Sequence, residues 1–260
     1  MAPLVLGRLN VVTSGDPASD VTAVLLHGWT MDLTTWDRVA AALPGRVVRY
    51  DVRGHGRSAG GTGTISELAD DLAAVLEECA PTGRVVLAGH SLGGMTIMAL
   101  AEQRPELFSR VSGVALIATS CGDLPPLRAV ERLAGRWLLK RSKVGFGRVI
   151  APGLRVTFGR RPRWADVRAA AAMAGNTSCE AFVGIREELT LHQRREALSV
   201  LSDIPTAVMA GAWDVLTPLR HSRVLADSLP SAEFVIYPKT GHMLPLERSE
   251  DVARRIAALM

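Results

Sequence analysis

The sequence predicts an α/β fold, a mostly parallel sheet flanked by helices and interrupted once by a helical insertion. Three observations carry this. Short apolar, β-branched runs alternate with amphipathic stretches of helical period at both ends of the 260-residue chain. The runs stop at Gly or polar residues, as strands buried on both faces do. The middle, residues 123–200, has no strand alternation and carries 15 Lys/Arg against 7 Asp/Glu, whereas the remainder carries 15 against 19.

In chain order, the Leu and Val residues of "MAPLVLGRLNVVTSGD" read as a first strand. "AVLLHG" (Ala23 to Gly28), "RVVRYD" (Arg46 to Asp51), "RVVLAG" (Arg84 to Gly89) and "VSGVALIAT" (Val111 to Thr119) are the following strands. Between them, "TTWDRVAAAL" places Trp36, Val39, Ala40 and Leu43 on one helical face, and "ISELADDLAAVLEECA" does so with Ile65, Leu68, Leu72, Val75, Leu76 and Cys79. Ser66 and Glu67 mark the expected start of the second helix.

The alternation resumes with strands in "IPTAVMAGAWD" and "AEFVIYPKTGH", followed by helices in "RHSRVLADSL" and "SEDVARRIAALM". The expected organisation is a core of residues 1–122 and 201–260 with a helical insertion at 123–200. Within the insertion, "LRAVERLAGRWLLKRSK" sets Leu127, Val130, Leu133, Ala134, Trp137 and Leu138 opposite Arg128, Arg132, Arg136 and Lys140. "RWADVRAAAAMA" and "CEAFVGIREEL" are also helical.

Composition narrows the class. Hydrophobic residues make up 48% and charged residues 22%, as in a globular domain. The N-terminus lacks the charged start and continuous apolar block of a secretory signal. No run approaches the roughly 18 apolar residues of a membrane span. Cys79, Cys121 and Cys179 are odd in number and lack paired spacing, which argues against a disulfide framework or a zinc site. A cytoplasmic protein with reduced thiols, no metal and no cofactor is expected. The "NTS" at Asn176 is a chance sequon in that setting.

"AGHSLGGM" holds a G-x-S-x-G motif in which a strand turns at once into a helix. Such a corner strains the serine backbone, and a side chain at Gly89 or Gly93 would crowd it. It also exposes the Ser91 hydroxyl near a helix N-terminus, where developing negative charge is favoured. A serine needs a base. Of six histidines, His242 in "KTGHMLPLE" follows the last strand and so falls at the same edge of a parallel sheet as Ser91. His90 adjoins the serine and should point elsewhere, and His192 and His221 lie in charged stretches read as exposed. Asp214 in "GAWDVLTP" is the acid that would orient the base, with Asp123 its competitor.

In their order, "LLHGW", "YDVRGHGRS", "AGHSLGGM", "AGAWDVLTP" and "TGHMLPLE" resemble the α/β-hydrolase-fold serine hydrolases over the whole core. The resemblance implies Ser91 as nucleophile, His242 as base and then acid, and Asp214 as its partner. The oxyanion would be held by the backbone N–H groups of Trp29 and Leu92. It also implies a mainly structural role for Asp51 to Ser58, which lacks nucleotide-loop spacing.

Serine at position 91 argues against dehalogenases and epoxide hydrolases, and Met243 after His242 weakens a C–C hydrolase reading. The expected activity is cleavage of a carboxylic ester (esterase, thioesterase or lactonase) with a small lipophilic acyl group. A non-hydrolytic ligand-binding protein or cyclase on the same fold is the alternative. The insertion would be a cap over an apolar pocket, with Trp29, Trp137 and Met243 as lining candidates and Phe146, Phe158, Trp164, Met173 and Phe182 as further apolar residues. The partner is a small-molecule ester, with no nucleic acid. The basic face of residues 127–140 has two readings, a solvated outer face or weak attraction to acidic lipid surfaces or anionic substrates.

Overall fold

Alternate residues of the strands face two separate cores, which is why the strand sequences are apolar without interruption. In the computed structural model, Val24, Leu26, Val48, Leu87, Val114, Leu116 and Val208 join one core. Ala23, Leu25, Val47, Ala88, Ala115, Ile117, Ala207 and Met209 join the other. The structure describes residues 5–6, 8–126, 129–140 and 153–260.

The strands are β1 (Val5–Leu6), β2 (Leu9–Gly15), β3 (Val21–Leu26), β4 (Arg46–Tyr50), β5 (Arg84–His90), β6 (Val111–Ile117), β7 (Thr206–Gly211) and β8 (Glu233–Tyr237). Among the described residues they form one sheet in the order β1-β2-β4-β3-β5-β6-β7-β8. Pairing is antiparallel for β1–β2 and β2–β4 and parallel across the rest. The N-terminal apolar run thus supplies two strands, with residues 1–4 outside the described set.

The helices of the first half are α1 (Asp37–Ala40), α2 (Ile65–Cys79) and α3 (Leu92–Gln103). The helix expected over 34–43 is shorter. It begins as a 3-10 turn, Leu33–Trp36, because the Asp32 side chain accepts from the Thr34 amide and caps there. Its apolar residues Trp36, Val39, Ala40 and Leu43 are buried all the same. The start of α2 also moves from the predicted Ser66. Thr64 is the N-cap, bonded to the Glu67 amide, and the Glu67 carboxylate returns to the Thr64 amide. The six predicted apolar positions of α2 are all buried.

Between β6 and β7 lie α4 (Ala129–Lys140), α5 (Trp164–Gly175) and α6 (Cys179–Leu191). The predicted Leu127, Arg128 and Phe146 fall outside the described residues, as do the side chains of Val130, Arg132, Arg136, Leu138 and Lys140, and with them the basic face of α4. Leu133 and Trp137 of its predicted apolar face are exposed. Val167, Ala170, Met173 and Ala174 of α5 pack with Leu154 and Phe158 against Met31, Met243 and Leu246. This third core sets the insertion over the loops that leave β3 and β8. The chain then closes with α7 (Leu219–Ser228), α8 (Leu244–Glu247) and α9 (Ser249–Ala257).

The capping box gives one expectation for stability. Thr64→Ala should cost about 1 kcal/mol, seen as a lower urea midpoint at unchanged m-value, whereas an unshifted midpoint would contradict the capping role.

Candidate active site

Ser91 sits where β5 ends and α3 begins, with φ 53° and ψ −114°. A non-glycine residue held there costs roughly 1–3 kcal/mol. Hydrogen bonds on both sides of the residue hold it, the Met95 amide to the Ser91 carbonyl (3.2 Å) among them. The Ser91 amide donates to the Ile117 carbonyl (2.9 Å), the Thr119 hydroxyl donates to the Ser91 carbonyl (2.7 Å), and the Gly94 amide donates to that same carbonyl (3.0 Å). Two glycines make the turn sterically open. A Cβ on Gly89 would lie 2.4 Å from the Gly93 carbonyl carbon, and one on Gly93 would lie 2.4 Å from the Leu26 oxygen. The side chain of Leu92 is buried in the core, so its amide at the first position of α3 is what it offers the site.

His242 and Asp214 meet as the sheet order requires, in the loops that follow adjacent strands β8 and β7. The His242 Nδ1–H donates to Asp214 Oδ2 at 2.8 Å, with both side chains buried. Asp214 Oδ1 accepts from the amides of Leu216 (2.8 Å) and Thr217 (2.9 Å), and the Thr217 hydroxyl donates to Oδ2 (2.8 Å). Burial alone would raise the Asp214 pKa, but the His242 charge and these hydrogen bonds outweigh it and hold the carboxyl below its ordinary value. With Nδ1 committed as a donor, the His242 Nε2 is left as the basic nitrogen. The His242 amide itself donates to the Thr157 carbonyl at 2.7 Å, which ties this loop to the insertion. Asp123 is exposed and accepts from the Gln193 side chain instead.

His90, expected to point elsewhere, lines the same cavity as Ser91 and also holds the His242 loop. Its Nε2–H donates to the His242 backbone carbonyl at 2.8 Å. His192 and His221, expected to be exposed, are buried. His192 donates to the Ser120 carbonyl (3.0 Å), and His221 Nδ1 meets the Ser120 hydroxyl (3.0 Å), so both brace the turn after β6.

The Asp51–Ser58 segment has a more specific role than packing. The Thr30 amide, next to the predicted oxyanion donor Trp29, donates to His55 Nε2 at 3.2 Å, and the Val52 amide donates to His27 Nε2 at 2.9 Å. Each ring carries its proton on Nδ1, aimed at the carbonyl of Arg53 or Gly28. Thr30 is left-handed (φ 65°), so the His55 bond fixes a strained residue beside Trp29. Asp51 accepts from the Leu33 amide (2.7 Å) and the Arg57 amide (2.8 Å), joining the same two loops. Burial, first, and then the charge of His27 push the His55 pKa down to about 3. Residue pattern alone did not reveal these contacts. The only hint was a histidine set between glycines in "RGHGR", which marks a tight loop and names no partner.

A cavity of about 410 Å³ opens beside Ser91 and His242. Trp29 and Met243 line it, and the Trp29 ring stacks on Phe182 of α6 with centroids 4.6 Å apart. Trp137, also predicted for the pocket, is not among the described lining residues and is half exposed. A separate basic cleft of about 440 Å³ lies between Arg160–Arg163 and Lys239–Arg248 and contains none of the predicted site residues.

The chain matches known proteins along nearly its whole length. The profile described as alpha/beta hydrolase family covers residues 23–255. A pimeloyl-[acyl-carrier protein] methyl ester esterase of Klebsiella pneumoniae is 32% identical over 86% of this chain and 87% of that protein. The dihydrolipoyllysine-residue acetyltransferase component of an acetoin cleaving system of Pseudomonas putida is 29% identical over 91% of this chain, which spans only 62% of that protein. A thermophilic esterase from Thermogutta terrifontis superposes with a TM-score of 0.81 at 25% identity, covering 96% of this chain and 92% of that one.

The buried histidines make stability pH-dependent. Burial pushes His90 down to about 3 and His192 to about 4, as it does His55 to about 3. Unfolded, each returns to about 6.5, so the unfolded chain binds more protons between these values. The contribution is complete above pH ~6.5 and is lost as pH falls toward the folded pKa values. The urea midpoint should therefore start to drop just below pH ~6.5. A midpoint flat between pH ~7 and ~5 would refute this.

Proposed function

The chain belongs to the alpha/beta hydrolase family, and we propose that it is a serine hydrolase that cleaves carboxylic esters through an acyl-serine intermediate. The observation that carries this is the buried Asp214–His242 pair at 2.8 Å beside a cavity that His242 shares with the strained Ser91. The esterase relative and the esterase structure support the same reaction class.

In this reading, His242 Nε2 takes the proton of Ser91 Oγ as the oxygen attacks the ester carbonyl. The carbonyl electron pair moves onto its oxygen, which the amides of Trp29 and Leu92 stabilise. Collapse expels the alcohol, which leaves with the proton from His242. Water then attacks the acyl-serine, giving its proton to His242, and the carboxylic acid and free Ser91 are released. Asp214 holds the imidazole in the required tautomer and offsets its charge.

The apolar wall of Trp29, Leu154, Phe182, Leu189 and Met243 suits a small lipophilic acyl group. Residues 123–200 act as the cap that excludes water from it. A cytoplasmic setting with reduced thiols belongs to the same reading.

Intact-mass measurement after a fluorophosphonate probe tests the nucleophile. We expect one adduct on the wild type and none on Ser91→Ala; an undiminished adduct on the variant would sink the assignment. The oxyanion loop has its own test on a short-chain nitrophenyl ester. His55→Phe should lower kcat by about tenfold, less than the roughly 10²–10³ for losing an oxyanion donor. His55→Gln, which still offers an acceptor to Thr30, should recover most of it. Equal losses in the two variants would mean that the Thr30 bond is not what matters.

A further inference from the structure

Helix α6 presents Phe182, Arg186 and Leu189 to the cavity, spaced four and three residues apart on one face. Phe182 stacks on Trp29, whose amide belongs to the proposed oxyanion hole. Arg186 lies one turn further along, about 6 Å of helix rise away. Among the described lining residues it is the one Lys, Arg, Asp or Glu, in a wall that is mainly apolar but also holds Thr30, His90, Ser91, Thr157, Thr217 and His242.

The Arg186 charge is shared with one carboxylate on α4, Glu131. The Arg186 side chain is 21% exposed, and its ion pair is a long one, Nη2 to Glu131 Oε1 at 3.3 Å, with a Glu131 side chain that is 39% exposed. A guanidinium has five N–H donors. The Glu131 contact engages Nη2 alone, so the remaining donors can serve a second acceptor.

We infer that Arg186 forms an anion subsite, and that the substrate is an ester bearing a carboxylate a few methylene units from the scissile bond, such as a half-ester of a dicarboxylic acid. This rests on the ester-hydrolase reading and names its substrate class. A carboxylate fits better than a phosphate monoester. A guanidinium already shared with Glu131 takes on less surplus negative charge from a monoanionic carboxylate than from a phosphate dianion. The apolar wall between Phe182 and Leu189 would hold the connecting methylenes.

The competing role for Arg186 is to tie α6 to α4 through Glu131, and substrate discrimination separates the two. The probes are 4-nitrophenyl hydrogen adipate, which carries the carboxylate, and 4-nitrophenyl hexanoate, which does not. In Arg186→Gln the kcat/KM ratio of the half-ester to the hexanoate should fall about 10- to 100-fold, the range of a charged hydrogen bond. Arg186→Lys should restore part of it. Glu131→Gln, which removes the competing carboxylate, should raise the ratio. A purely structural tie lowers both substrates together, and an unchanged ratio in Arg186→Gln and Glu131→Gln overturns the subsite.

Turnover of the hexanoate by the wild type reports separately on the ester-hydrolase reading. Should neither ester be turned over, calorimetric binding of monomethyl adipate to Ser91→Ala still decides the subsite. Binding weakened at least tenfold by adding Arg186→Gln supports it, and equal or absent binding overturns it.

Discussion

The site depends on one backbone constraint, the left-handed turn at Ser91. Strand β5 can enter helix α3 without an intervening loop only if the serine adopts φ 53° and the neighbouring backbones come within bare-glycine distance. The strain is offset locally, because the Ser91 carbonyl accepts from Thr119 and Gly94 while its amide reaches Ile117 on β6. The same geometry sets Ser91 on the cavity wall and leaves the first amide of α3 unclaimed by any helical carbonyl. Candidate nucleophile and candidate oxyanion donor are therefore products of a single turn.

Around that turn the molecule uses histidines as neutral backbone partners. His27 and His55 accept amide protons, His90 and His192 donate to carbonyls, and burial keeps their pKa values low. An imidazole suits this because it is both donor and acceptor with fixed directions. Of the two loops that flank Ser91, one is braced by His55 and the other by His90. His242 differs from them in having a buried carboxylate on Nδ1, the arrangement on which its proposed role as base rests.

Much of this was legible in the residues. The strand runs, the faces of α2 and the motifs holding Ser91, Asp214 and His242 rest on periodicity and on short signals whose physics is local. What was misread depended on distant partners. His192 and His221 sit among charged residues in sequence, yet each is covered by the turn after β6. Trp137 has the composition of a pocket residue but stands half exposed on α4. Arg186 passed as one more charge in a basic segment, because only the fold puts it on the wall of the cavity.

The sequence by itself determined the layered sheet, the strained corner and the order of the three candidate catalytic residues, since strand burial, glycine sterics and strand-end position are properties of contiguous chain. Tertiary structure decided which carboxylate meets His242, which imidazole holds the Thr30 amide and which charge lines the cavity. Those choices are made by hydrogen bonds and packing between residues tens to more than a hundred positions apart. Such contacts form only when β7 lies beside β8 and when α5 and α6 fold back over the loops of the sheet.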